Sequence, residues 1–71
     1  MRYRLNKKQM EMLANGKQLV NGKDKIIAPK DLQESLKTLL EQNVLEYANV
    51  FIEITETFPK TYSFKMEKKE N

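Results

Sequence analysis

A single small α+β domain is predicted by three features of the sequence. Leu32, Leu36, Leu39 and Leu40 recur at helical spacing, apolar and polar residues alternate on both sides of Phe58-Pro59-Lys60, and Asn21-Gly22 separates two short apolar runs. The first feature marks an amphipathic helix, the second a half-buried antiparallel hairpin, and the third a tight turn between strands. The expected arrangement is one amphipathic helix packed on a C-terminal antiparallel β-hairpin, with a short N-terminal helix and a weaker N-terminal hairpin.

From the N-terminus, Tyr3 and Leu5 alternate with Arg2 and Arg4, which suits a short edge strand with one dry face. Asn6 followed by Gln9 has the form of a capping box, in which each side chain satisfies the other residue's N–H. Residues 7–14 should then be helical, with Met10, Leu13 and Ala14 on one stripe and Lys7, Lys8 and Glu11 off it. Asn15-Gly16 supplies a left-handed stop.

Gln18-Leu19-Val20 and Lys25-Ile26-Ile27 flank the sequence Asn21-Gly22-Lys23-Asp24. A two-residue turn at Asn21-Gly22 would set Val20 against Lys23 and Leu19 against Asp24. A three-residue loop at 22–24 instead sets Val20 opposite Ile26 and Leu19 opposite Ile27. The second register is the expected one, because it pairs apolar side chains.

Pro29 fits the first helical position, where its missing N–H costs nothing, and Asp31 complements the positive helix end. The helix spans 29–42, with Leu32, Leu36, Leu39 and Leu40 expected in the core opposite Lys30, Gln33, Glu34, Lys37 and Glu41. Asn43 can end it. Val44 and Tyr47 continue the leucine row, so an ending near Ala48-Asn49 fits equally well.

In the C-terminal third, Val50, Ile52 and Ile54 alternate with Glu53, Thr55 and Thr57, and Tyr62, Phe64 and Met66 alternate with Ser63, Lys65 and Glu67. These read as strands 50–57 and 61–67. A three-residue loop at Phe58-Pro59-Lys60 sets Ile54 opposite Phe64, Ile52 opposite Met66 and Glu53 opposite Lys65. The domain is therefore expected over 1–67, with 68–71 a polar tail.

A chain of 71 residues suffices for one domain. A domain this short buries only about 60% of its unfolded surface and often needs a further staple. With no cysteine and no histidine, disulfides and the usual zinc ligands are absent, which leaves association. A homodimer is the expectation. No apolar segment follows the basic start, and Val50-Phe51-Ile52 is too short to cross a bilayer, so a cytoplasmic protein without membrane contact is expected.

The same absences remove the commonest general base and the best nucleophile. Ser35 lies mid-helix, Ser63 mid-strand, and Asp31 and Glu34 fall on the solvated side of the helix. Neither Asn-Gly-Lys site, at 15–17 or 21–23, has the flanking glycines and following hydroxyl of a phosphate loop. No enzyme, cofactor or metal site is expected.

Two binding functions remain. The first is a small non-catalytic interaction module that binds a protein partner as a homodimer, with Phe51, Met12 and Tyr3 as surface candidates. Phe51 shares a hairpin face with Glu53, Thr55 and Lys65, where a phenylalanine needs a cover: the N-terminal segment, a dimer seam or a partner. Met12 falls off the apolar stripe of its helix, and methionine suits an adaptable contact. The alternative is a nucleic-acid-binding regulator. Residues 1–30 carry eight basic against two acidic side chains, whereas 31–71 carry five against eight. Arg2, Arg4, Lys7, Lys8, Lys17, Lys23 and Lys25 would then contact the polyanion, with helix 29–42 too acidic to enter a groove.

Overall fold

Alternation decides the centre of the molecule. The computed structural model describes residues 1–70, and in its strand β4 (Ala48–Ile54) every second residue, Ala48, Val50, Ile52 and Ile54, is buried. Asn49, Phe51 and Glu53 point the other way and stay half-exposed. Strand β1 (Arg2–Leu5) pairs antiparallel on one side of β4, and β5 (Tyr62–Lys68) on the other. The sheet therefore has three strands, the N-terminal segment having joined the expected hairpin.

Two helices, α1 (Lys7–Ala14) and α2 (Lys30–Glu41), pack against each other over the dry face. A separate hairpin is formed by β2 (Leu19–Asn21) and β3 (Asp24–Ile26). The core is wholly apolar; Leu5, Met10, Leu13, Ile26, Leu36, Val44, Val50 and Ile52 are its largest fully buried side chains. Among the described residues no helix is long and apolar enough to cross a membrane.

Helix α1 obeys its local signals. The Gln9 N–H donates to Asn6 Oδ1 at 2.8 Å and the Asn6 N–H to Gln9 Oε1 at 2.9 Å, completing the capping box. At the other end the Lys17 N–H donates to the Met12 carbonyl and the Gly16 N–H to the Leu13 carbonyl, with Gly16 at φ +75°. That is a Schellman stop, which needs the left-handed residue.

The N-terminal hairpin departs from expectation. Leu19 pairs with Ile26, Val20 with Lys25 and Asn21 with Asp24, leaving Gly22-Lys23 as a two-residue turn. Gly22 takes φ +61° as the first turn residue, the position for which a type II′ hairpin selects glycine. Turn geometry prevails over the Val20–Ile26 pairing, and Ile27 is left outside the strand and exposed.

Pro29 stands one residue earlier than expected, as the extended residue capping α2. The helix takes the shorter of the two endings. Asn43 adopts φ +53°, which breaks the helix, and a 3₁₀ turn over Val44–Glu46 follows. Val44 is thereby buried, while Tyr47 is exposed. The leucine stripe is only partly covered: Leu36 is 0% exposed, but Leu32, Leu39 and Leu40 remain half-exposed. One short helix and one narrow sheet do not supply enough surface to enclose all four.

The C-terminal register is also corrected. Ile54 faces Tyr62, Ile52 faces Phe64 and Val50 faces Met66, so each residue of β4 meets a partner two residues earlier than expected. Outside, Phe51 faces Lys65 and Glu53 faces Ser63. A slip of two keeps every side chain on its own face, so hydrophobic alternation is satisfied equally by both pairings. The deciding contacts lie in a longer loop. The Thr55 N–H donates to the Thr61 carbonyl at 3.1 Å, and the Thr61 N–H donates to Thr55 Oγ1 at 2.9 Å. The Phe58-Pro59 peptide is cis, and Phe58 is 98% exposed at the loop tip. Strand β5 runs on to Lys68, and the Lys69 N–H donates to the Tyr47 carbonyl at 2.9 Å. Much of the expected polar tail is thus held at the sheet; Asn71 lies outside the described residues.

Candidate functional site

Backbone polarity locates the first element of the site. The Ile54 N–H donates to the Met1 carbonyl at 2.7 Å, and the Met1 amino group donates to the Ile54 carbonyl at 2.7 Å. Even-numbered residues of β4 therefore turn their backbone groups toward β1, and odd-numbered ones toward β5. The Thr55–Thr61 and Tyr47–Lys69 bonds follow the same parity. By the observed register, Ser63, Lys65 and Glu67 bond to β4, and the N–H and C=O groups of Tyr62, Phe64 and Met66 point away from it. Among the described residues no further strand lies on that side. An open strand edge of seven residues is a ready template for another chain.

The side chains of the same three residues line the second element. Tyr62, Phe64 and Met66 form one wall of an open groove whose other wall is α2, with Leu32 and Leu39. Ser35 and Thr38 also face it, but their hydroxyls donate to the Asp31 and Glu34 carbonyls of their own helix. The groove is consequently apolar in character. Met66 is 55% exposed within it. Leu39 also borders a second cleft, with Leu40, Met10 and Leu45, between α1 and the 3₁₀ turn.

The opposite sheet edge is better guarded. Strand β1 is only four residues long and carries Arg2 and Arg4, the charged and short character that discourages strand addition. Tyr3 holds it in place: its hydroxyl donates to Asp24 Oδ2 at 2.6 Å, and Lys60 Nζ donates to Asp24 Oδ1 at 3.4 Å. The hydrogen bond to Asp24 holds the Tyr3 hydroxyl above the usual tyrosine range. The same bond, and then that of Lys60, keeps the Asp24 carboxyl below the usual carboxylate range.

Of the candidate residues, Phe51, Arg2 and Arg4 come together on the outer sheet face, and the others lie elsewhere. Phe51 lies half-buried on the outer sheet face, with the Arg2 guanidinium 3.9 Å from its ring centroid, a cation–π cover supplied by the N-terminal strand. Arg2 also pairs with Glu67 across the sheet. Met12 is half-buried on α1, and Tyr3 is packed against the core with its hydroxyl engaged by Asp24. Of the basic residues, Arg2 and Arg4 lie on β1, Lys7 and Lys8 on the first turn of α1, and Lys17 in the loop beyond it. Lys23 sits in the β2–β3 turn and Lys25 on β3.

Helical spacing sets Leu32 and Leu39 in the expected core, and alternation sets Tyr62, Phe64 and Met66 on one apolar face of the hairpin, but nothing local in the sequence shows that β5 is an edge strand. Among the described residues no three acidic side chains come together where they could hold a metal ion. No protein-family model matches the chain, and neither a curated protein nor a solved structure is detectably similar to it.

Proposed function

We propose that this chain is a small non-catalytic interaction module that binds a protein partner and works as a homodimer, using the α2–β5 surface. One observation carries this reading: the open backbone edge of β5 and the apolar groove beside it are made by the same three residues, Tyr62, Phe64 and Met66. Strand addition draws affinity from main-chain hydrogen bonds and specificity from pockets for alternate side chains. Both are supplied here at one place. The half-covered leucines of α2 add the apolar surface that a domain of this size gains by burying in association.

Sedimentation equilibrium across a wide concentration range tests the reading. The wild-type chain should form dimers at high concentration, and Met66→Lys should shift it to monomer while its circular dichroism is unchanged. A wild-type chain that stays monomeric throughout overturns the homodimer.

A second reading, nucleic-acid binding, draws on the outer sheet face, where Arg4, Phe51 and Lys65 stand in one row and Arg2 covers the ring. An aromatic flanked by cations suits a base stacked over a phosphate track, although Glu53 and Glu67 share this face. Mobility shifts on single-stranded DNA and RNA should weaken steeply with salt if this reading holds. No shift at low salt removes it.

A further inference from the structure

We infer that the occupant of the β5 edge is β5 of a second copy of this chain, paired antiparallel about a two-fold axis through Phe64. The inference rests on the homodimer reading above and adds the pairing element and its register.

The backbone permits it. A two-fold axis normal to the sheet and midway between the two strands sets a residue opposite its own copy and keeps the faces of the two sheets continuous. With Phe64 on the axis, the edge-facing groups of Phe64 meet those of the partner's Phe64, and those of Tyr62 meet those of the partner's Met66. Each outward N–H finds an outward C=O.

Side chains choose this register over its neighbours. On the dry face it sets Phe64 against the partner's Phe64 and Tyr62 against the partner's Met66, an uninterrupted apolar row. On the outer face it sets Ser63 against the partner's Lys65 and Thr61 against the partner's Glu67, with no like charges opposed there; Lys68 falls opposite the partner's Lys60 only beyond the paired strand residues 62–66. An axis on Lys65 opposes two lysines, and an axis on Glu67 opposes two glutamates. An axis on Met66 gives good Lys65–Glu67 pairs outside, but it sets Phe64 against the partner's Lys68 and Tyr62 against the partner's Glu70 on the apolar face. An axis on Ser63 sets Met66 against the partner's Lys60 and shortens the pairing.

Two three-stranded sheets thereby become one six-stranded sheet. The two α2 helices lie on the same face of it, and the two grooves meet over the axis. Leu32, Leu39 and Met66, left open in one copy, gain apolar neighbours from the other.

The chain has no cysteine, so single-cysteine spin labels report the register without background. Ser63→Cys, Lys65→Cys and Glu67→Cys all lie on the exposed outer face, and circular dichroism checks that each still folds. About Phe64, positions 63 and 65 each stand one residue from the axis, so each pair of like Cα atoms is about 8 Å apart, and the pair at 67 about 21 Å. Strong and similar spin–spin broadening at 63 and 65, with far less at 67, is the expected result. Broadening at 65 and 67 without 63 moves the axis to Met66 and overturns the register, as does any other pattern. Dimers by sedimentation with no broadening at any position overturn pairing through β5 while leaving the homodimer standing. A monomer at all concentrations overturns both.

Discussion

Tyr3 ties together three segments that are far apart in the chain, and it does so with one hydroxyl. Its bond to Asp24 joins β1 to the β2–β3 hairpin, and Lys60 brings the loop after β4 to the same carboxylate. No signal near Tyr3 in the sequence points to Asp24, since a hydrogen bond between distant side chains leaves no periodicity. The coupling is visible in pH dependence. Asp24 titrates lower in the fold than in the unfolded chain, chiefly through Tyr3, so its contribution is present above the ordinary aspartate value of about 3.9 and is lost as pH falls through the lower folded value. Tyr3 titrates higher in the fold, chiefly through Asp24, so its contribution is present below about 10 and is lost as pH rises through the higher folded value. Melting temperatures of Tyr3→Phe followed across both ranges should fall less steeply than those of wild type, at the acid end and at the alkaline end. Superimposable pH profiles for the two proteins would dismiss the link.

At the level of elements, what was legible depends on how local the deciding interaction is. The capping box of α1, its Asn15-Gly16 stop and the alternation of β4 are set by residues within a few positions of one another, and all three form as read. Both hairpins depart from the expected register, the N-terminal one by a single residue that its Gly22-Lys23 turn imposes and the C-terminal one by two. In the C-terminal hairpin apolar pairing is blind to the slip of two, and the Thr55–Thr61 bonds decide; in the N-terminal hairpin Gly22 at positive φ fixes the turn against the apolar pairing of Val20 with Ile26. The backbone polarity of β5, which a slip of two leaves unchanged, makes a prediction: adjacent prolines in β5 should behave oppositely. The Lys65 N–H faces β4, so Lys65→Pro leaves a ladder acceptor unpaired and should cost about 1–3 kcal/mol. The Met66 N–H faces the free edge, so Met66→Pro should leave the folded monomer close to wild type in denaturant melts and weaken only the dimer. Equal destabilisation of the monomer by both prolines would contradict the assigned backbone polarity.

For the molecule as a whole, the leucine stripe of α2 separates what this chain buries by itself from what it leaves for another. The stripe is plain in the sequence, but its coverage is a property of sheet width and strand order, which a count of apolar residues does not report. Leu36 is enclosed within one copy, whereas Leu39 borders the groove against β5. Their truncations should therefore respond differently to protein concentration. Leu36→Ala removes a core side chain and should cost about 2–5 kcal/mol whether the protein is dilute or concentrated, a large part of the stability expected of a domain this small. Leu39→Ala, at a leucine packed against the core but open to water on its groove side, should cost less than Leu36→Ala in dilute solution. Its cost should grow once wild type dimerises, because association stabilises the fold by mass action and the variant gains less from it. Thermal melts of wild type and the two variants at low and high concentration decide the matter. A Leu39→Ala penalty that stays constant while wild type melts higher at high concentration would place the dimer contact away from α2.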